Sequence, residues 1–255
     1  RAAFWLDRQT QTLKVASRAL SGIAALASQV TISGDGRYVV FDSVASNIVA
    51  GDLNLSPDVF RFDTQTDTTQ LVSSTAAGVV GNSSSTTPSV DDSGTLIAFE
   101  STATNFVAGD SALKDVFVKD MTSGAIVRAS QSSTGVAGNF ASAKGRIAAN
   151  GNFVVFESAS SNLDLASPKG TGITDIYRHT LSSAVTELVS VDLASAGANG
   201  PSSDASVSAN GRYVWFKSRA QNLVAPPPAA AGQLFRRDMS SSTVIGASNG
   251  PEEVF

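Results

Sequence analysis

The stretch Gly36-Arg37-Tyr38-Val39-Val40-Phe41 decides the fold, because the chain repeats its pattern of a glycine followed five residues later by a phenylalanine. The copies are residues 94–99, 151–156 and 211–216, at intervals of 58, 57 and 60 residues. A second pattern closes each unit, with an aromatic residue 13 positions before a serine. Its copies are Phe4 with Ser17, Phe60 with Ser73, Phe117 with Ser130, Tyr177 with Ser190, and Phe235 with Ser248. A constant period of this size is typical of a repeat architecture.

Each unit is predicted to contain four short strands. Consecutive apolar residues, as in residues 153–156, indicate a second strand that is covered on both faces. Dipeptides such as Asp35-Gly36 and Asn150-Gly151 tolerate positive φ and predict a tight turn before that strand. An aspartate ends the third strand of four units, where its carboxylate is predicted to accept hydrogen bonds from the next turn. These aspartates are Asp7, Asp63, Asp120 and Asp238.

Units of this kind bury their sheet faces by stacking radially, so the sequence predicts an all-β fold, a β-propeller of four-stranded antiparallel blades. We expect one domain over residues 1–255. It consists of a half blade, residues 1–28, and of four complete blades over residues 29–85, 86–142, 143–203 and 204–255. A closed ring of these parts has five blades. Because the half blade leaves sheet surface uncovered, self-association through it is also predicted.

The residues themselves resemble a known family. The segments Ser-Val-Ser-Ala-Asn-Gly-Arg-Tyr-Val-Trp-Phe (206–216) and Asp-Val-Phe-Val-Lys-Asp (115–120) are similar to the WD40-like repeat of TolB-like β-propellers. The resemblance covers nearly the whole chain and implies the propeller fold. It implies no single activity, because that family includes interaction modules, accessory domains of peptidases and a few lyases.

The composition excludes several classes of function. The 255 residues carry a net charge of −4, and their 18 Lys and Arg are scattered among 22 acids, so no basic face for nucleic acid is expected. The chain has no cysteine, which excludes disulfides and thiolate metal sites. No apolar stretch is long enough to span a bilayer. We expect an exported bacterial protein, periplasmic or extracellular, with no membrane insertion.

Catalytic machinery is scarce. Acyl-transfer chemistry of the Ser-His-Asp type needs an imidazole base, and the chain has one histidine, His179, with no Gly-x-Ser-x-Gly motif beside it. Since Phe62, Lys119 and Arg237 occupy the equivalent position, His179 is interpreted as a surface substitution. The sequence therefore predicts that the domain is not an enzyme and requires no cofactor.

Three places are candidates for ligands. Asp52, Asn54 and Asp58 lie in one loop, where their oxygens could hold Ca²⁺, and the alternative is a set of acidic turn residues before a strand. Arg146 replaces the small residues of the first strand and either anchors an anionic ligand or pairs with a neighbouring acid. Trp5, near the open end, is a candidate contact for a ligand or a part of the core.

The predicted function is a non-catalytic binding or scaffolding propeller. Its partner is a protein or a glycan, contacted through the rim loops or the channel mouth. The alternative is an accessory propeller domain of a larger secreted hydrolase, which gates or orients the substrate.

Overall fold

The chain folds into antiparallel β-sheets. The computed structural model describes residues 1–167, 169–170, 172–227 and 232–246, and this part of the chain contains no helix. Ser248 of the second repeated pattern lies outside the described residues. The strands are β1 (Phe4–Asp7), β2 (Thr12–Val15), β3 (Val30–Ile32), β4 (Tyr38–Ser43), β5 (Asp58–Asp63), β6 (Thr68–Leu71), β7 (Ser85–Val90), β8 (Leu96–Ser101), β9 (Asp115–Asp120), β10 (Ile126–Arg128), β11 (Ser142–Ile147), β12 (Phe153–Ser158), β13 (Asp175–Thr180), β14 (Val185–Leu188), β15 (Ser202–Val207), β16 (Tyr213–Ser218), β17 (Gln233–Asp238) and β18 (Thr243–Gly246).

The sheets are the blades of a β-propeller. β1 and β2 form a two-stranded half blade, and the next sixteen strands form four four-stranded sheets in which chain neighbours pair. We number them blade 1 (β3–β6), blade 2 (β7–β10), blade 3 (β11–β14) and blade 4 (β15–β18). This confirms the predicted fold class. The first strands of blades 2, 3 and 4 begin at Ser85, Ser142 and Ser202, one or two residues before the predicted boundaries.

The chain divides into two compact units. Unit 1, Arg1–Arg128, contains the half blade with blades 1 and 2, and unit 2, Ala129–Phe255, contains blades 3 and 4. No helix in the described part of either unit is long and apolar enough to cross a membrane.

The two repeated patterns meet in the core of each blade. The aromatic residue of the second strand pairs in register with that of the third, as Phe41 does with Phe60. Their rings stack with centroids 5.7 Å apart, and Phe156 with Tyr177 and Phe216 with Phe235 do the same at 5.7 and 5.8 Å. All of these rings are buried. The recurring aromatic residues therefore stabilise each sheet through one cross-strand pair.

Aspartates form the turns after the third strands, as predicted. Asp63 Oδ1 accepts the backbone N–H of Gln65 at 2.9 Å, and the equivalent bonds follow Asp7, Asp120 and Asp238. Asp63 also accepts two hydrogen bonds from the Arg37 guanidinium, at 3.0 and 2.6 Å. This interaction lowers the pKa of Asp63 to about 2.

Glycines end the tight turns before the second strands. Gly36 and Gly94 have φ of +73° and +72°, a region where a side chain is strained. A Cβ on Gly36 would meet nothing within 4 Å, whereas a Cβ on Gly94 would lie 2.1 Å from Cδ2 of Tyr38. The Tyr38 ring is itself held within 4.8 and 4.3 Å of the guanidinium carbons of Arg37 and Arg61.

This difference predicts unequal costs for the same substitution. We expect Gly36→Ala to lower the free energy of unfolding by about 1–2 kcal/mol, the cost of positive φ alone. Gly94→Ala should lower it by roughly 1–3 kcal/mol more, because the Tyr38 ring has to move. Urea denaturation of both variants measures the difference. Equal losses would show that Tyr38 does not pack on this turn.

Candidate functional site

Arg146 lies on β11 in the register position predicted for it. It pairs with Val155, as Ser89 pairs with Ala98 and Ser206 with Trp215. Its side chain is half-buried, and its Nη1 makes a long contact with the carbonyl of Gly145, at 3.5 Å. It forms no ion pair with any described residue of its unit. Binding of an anion by Arg146 stays a prediction.

Trp5 serves the packing of unit 1. It lies on β1, is partly buried against the core of the unit, and donates its indole N–H to the carbonyl of Gly36 at 2.9 Å. It also lines a groove of 260 Å³ between β1 and β3, together with Phe4, Leu6 and Ile32. A role of Trp5 in binding a ligand stays a prediction.

The loop between β4 and β5 brings Asp52, Asn54 and Asp58 together. Asn54 donates its amide N–H groups to Asp58 Oδ2 and to the carbonyl of Gly81, both at 2.7 Å. Ser73 donates its hydroxyl to Asp58 Oδ1 at 2.5 Å. The carboxyl group of Asp52 interacts with that of Asp58, and Asp52 Oδ1 is buried without a hydrogen-bond partner among the described residues.

The two carboxyl groups are costly to ionise where they lie. Asp58 is fully buried and Asp52 is 2% exposed. Burial raises the pKa of Asp58 to about 6 and raises that of Asp52, although the hydrogen bonds from Ser73 and Asn54 act in the opposite direction on Asp58. A group that supplies positive charge at this place would be bound favourably.

The other blades supply a different partner at the same position. Asp115 and Asp175 begin β9 and β13 as Asp58 begins β5, and each pairs with a serine of the second strand. In blade 2, Arg128 Nη2 lies 2.6 Å from Asp110, and its Nε lies 3.4 Å from Asp115.

Blade 3 uses a lysine for the same purpose. Lys169 Nζ lies 2.9 Å from Asp175, and both side chains are buried. In blade 4 the residue at the position of the aspartate is Gln233, which carries no charge. Blades 2 and 3 therefore neutralise the buried carboxylate with a cation of the chain itself, and blade 4 has no carboxylate at this position.

His179 is buried, so its interpretation as a surface substitution was wrong. It is 2% exposed, and Phe62, Lys119 and Arg237 at the equivalent positions are buried as well. Polar groups are tolerated there because their ends reach polar partners, as Lys119 Nζ reaches the carbonyls of Ser74 and Gly124 at 3.0 and 2.8 Å. His179 Nδ1 lies 2.8 Å from Thr186 Oγ1, and burial lowers the pKa of His179 to about 4.

Exposed apolar side chains of unit 1 cluster on the loops at one end of its blades. Because neighbouring strands are antiparallel, the loops after the second and fourth strands of every blade leave from the same end. In unit 1 these loops are residues 16–29, 44–57, 72–84 and 102–114. We call their exposed apolar side chains the apolar rim: Leu20, Ile23, Leu26, Val44, Leu53, Leu55, Val79 and Leu113.

The opposite end of unit 1 has no such side chain among its described residues. Its turns are residues 8–11, 33–37, 64–67, 91–95 and 121–125, which are mostly polar. Leu53 and Leu55 are 82% and 84% exposed, the two largest values among the exposed large apolar residues. Unit 2 by itself shows the same asymmetry between its ends. Its exposed apolar loop residues Val136, Phe140, Leu165 and Leu193 lie on loops after second or fourth strands.

A cleft of 520 Å³ opens within the apolar rim of unit 1. Leu26 and Val44 line it together with Arg1, Asp42, Pro57 and Thr86. Asp42 is 3% exposed and accepts the backbone N–H of Gln29 at 3.0 Å, and burial raises its pKa. The cleft thus combines apolar walls with one buried carboxyl group, a combination common in binding sites.

The sequence predicted contacts through rim loops but gave no indication of the apolar rim. A signal was present in the sequence, because each loop after a second or fourth strand carries at least one leucine, isoleucine or valine among small and polar residues. These side chains differ from core residues only in their exposure to solvent. The sequence pattern does not predict exposure inside a loop, because a loop has no regular period.

Solved structures with the same fold include proteins of several activities. TolB from Acinetobacter baumannii is 13% identical, with a TM-score of 0.53 over 94% of this chain and 47% of that chain. The β-propeller domain of the trilobed protease from Pyrococcus furiosus is 11% identical, with a TM-score of 0.56 over 95% and 62%. An oligogalacturonate lyase from Vibrio parahaemolyticus is 11% identical, with a TM-score of 0.57 over 96% and 59%.

These likenesses show a TolB-like β-propeller fold and nothing finer. The chain spans about half to three fifths of the length of the three structures. No protein-family model matches the chain, and no curated protein matches it.

Proposed function

We propose that this propeller domain is a non-catalytic binding module that contacts a partner protein through the apolar rim. The observation that carries the proposal is the uneven distribution of apolar side chains in unit 1. Every exposed large apolar side chain on a described loop lies at the same end of the unit. Burying such side chains against a partner is favourable by about 25 cal/mol per Å² of apolar surface. Large exposed apolar patches on soluble proteins mark interaction sites.

The chemistry of the rim favours a protein over a glycan. Its eight members are all aliphatic, so they bind by burial and offer no flat ring to a sugar. The cleft beside Leu26 and Val44 adds the buried carboxyl group of Asp42. A partner segment with apolar side chains is complementary to this surface.

The burial of His179 supports the absence of catalysis. Its imidazole lies in the interior with Nδ1 bonded to Thr186, so it is not placed to take a proton from a bound substrate. An accessory role in a larger secreted hydrolase remains the second candidate, because the similar Pyrococcus furiosus structure is a domain of a protease. Export to the periplasm or outside the cell is part of both proposals.

Photo-crosslinking in the source cells tests the contact surface. Benzoylphenylalanine replaces Leu55 in the full chain, and a matched protein carries it at Gln65, which is exposed in the turn at the opposite end of blade 1. We expect one discrete protein adduct from position 55 and none from position 65. Equal adducts from both positions, or none from position 55, would contradict the proposal. An adduct with twice the mass of the chain would show that the rim contacts a second copy of the chain and not a different protein.

A further inference from the structure

We propose that blade 1 contains a binding site for Ca²⁺ between the carboxylates of Asp52 and Asp58. The site uses buried polar side chains and none of the exposed side chains of the apolar rim, although Asp52 lies in the same loop as Leu53 and Leu55. The same position is occupied differently in successive blades.

Buried carboxylates at this position have a cationic partner in blades 2 and 3. Arg128 lies against Asp110 and Asp115 in blade 2, and Lys169 lies against Asp175 in blade 3. Leu71 of blade 1 pairs with Phe60 as Arg128 pairs with Phe117, so an aliphatic side chain occupies the place of the guanidinium. No Lys or Arg within the described part of unit 1 forms an ion pair with Asp52 or Asp58. Blade 1 therefore holds two buried carboxyl groups with no cation of its own.

A buried oxygen of Asp52 lacks a hydrogen-bond partner among the described residues, as do Asp110 Oδ2 and Asp175 Oδ2, but only the carboxyl groups of Asp110 and Asp175 have a cation of the chain beside them. Asp52 is 2% exposed, its carboxyl group interacts with that of Asp58, and its Oδ1 has no hydrogen-bond partner among the described residues. Buried polar atoms are almost always satisfied, and a bound water or ion is one of the explanations for an exception. A cation beside both carboxylates satisfies Oδ1 and compensates both charges.

The lysine of blade 3 indicates which further atoms face such a cation. Lys169 Nζ contacts Asp175 Oδ2, the carbonyl of Ile173 at 2.6 Å and the carbonyl of Ser158 at 3.4 Å. The residues at the same positions in blade 1 are Ser56, two residues before Asp58, and Ser43, which pairs with Asp58. The donor set is thus composed of carboxylate and carbonyl oxygens.

Calcium fits this donor set better than magnesium does. Ca²⁺ accepts six to eight oxygens in flexible geometry, whereas Mg²⁺ requires a near-ideal octahedron and keeps its waters. Asn54 donates its amide N–H groups to Asp58 and Gly81, and its Oδ1 accepts the backbone N–H of Ser56, so its amide orients Asp58 beside the ion. Water completes the coordination.

Calorimetry and thermal melting of the full chain test the site. After removal of metal ions, we expect titration with CaCl2 to show one site. The melting temperature should rise by about 5 °C at a calcium concentration one hundred times the Kd. Asp52→Asn should abolish both effects, and Asp67→Asn, at an exposed carboxylate in the turn at the opposite end of blade 1, is the control that should keep them. MgCl2 should give a smaller shift than CaCl2.

A second variant keeps the test decisive if Asp52→Asn folds poorly. Leu71→Arg places a guanidinium at the position that Arg128 has in blade 2, and we expect it to remove the calcium response while the chain still melts cooperatively. No heat and no shift in the melting temperature of the unmodified chain up to about 10 mM CaCl2 would overturn the proposal. A full response in Asp52→Asn or in Leu71→Arg would overturn it as well.

Discussion

Replacing Lys169 by methionine is expected to lower the free energy of unfolding of unit 2 by about 3–5 kcal/mol. The ammonium group is buried between Asp175, at 2.9 Å, and the carbonyl of Ile173, at 2.6 Å. Burial raises the pKa of Asp175, and Lys169 acts against that shift. Without the lysine, Ser190 is the remaining hydrogen-bond donor to a carboxylate that has no access to water.

Urea denaturation measures the loss, and Lys144→Met is the matched control in the same unit. Lys144 pairs with Glu157 and Asp204 at 3.1 Å, and its side chain is 47% exposed, so its removal should cost less than about 1 kcal/mol. In Lys169→Met combined with Asp175→Asn, part of the lost stability should return, because the uncompensated charge is gone. Similar losses for Lys169→Met and Lys144→Met would contradict the assignment of a buried ion pair.

The second large effect is a loss of stability in acid that depends on His179. Burial lowers the pKa of this imidazole from 6.5 to about 4, so the folded protein holds it neutral over a range where the unfolded chain protonates it. The stabilising contribution is complete above pH 6.5 and is lost as the pH falls to about 4. The difference between the two pKa values corresponds to about 3 kcal/mol.

His179→Gln isolates this effect, because glutamine donates a hydrogen bond to Thr186 and does not titrate. We expect the free energy of unfolding of the variant to fall less than that of the unmodified chain between pH 6.5 and pH 4. Denaturation at a series of pH values compares the two. Parallel curves would show that His179 is protonated equally in the folded and unfolded chains.

Much of the fold could be predicted because its determinants are local or periodic. The turn aspartates and the turn glycines act within a few residues, and Phe41 with Phe60 repeats as an aromatic pair in each later blade. His179 was misplaced because Lys119 and Arg237 occupy the same position, which made it look exposed. Their charged ends lie in the interior and bond to main-chain carbonyls, as Arg237 Nη1 does to Val189 at 3.3 Å.

The candidate sites could be predicted in part. Asp52 lies six residues before Asp58, so their spacing in the sequence predicted that they lie close together. The cation that matches Asp110 in blade 2 comes from Arg128, 18 residues further along and on another strand, and sequence spacing gives no such contact. The apolar rim depends on exposure, which is fixed only when the loops pack on the blades.

The affinity of the crosslinked partner for the purified domain tests the central claim most directly. Leu53→Ser combined with Leu55→Ser removes two of the most exposed rim side chains. Gln65→Ser combined with Thr66→Ser is the matched change at the opposite end of blade 1. We expect the rim variant to bind at least roughly tenfold more weakly with an unchanged melting temperature, and the control to bind like the unmodified domain. Equal affinity of the rim variant and the unmodified domain would contradict the account.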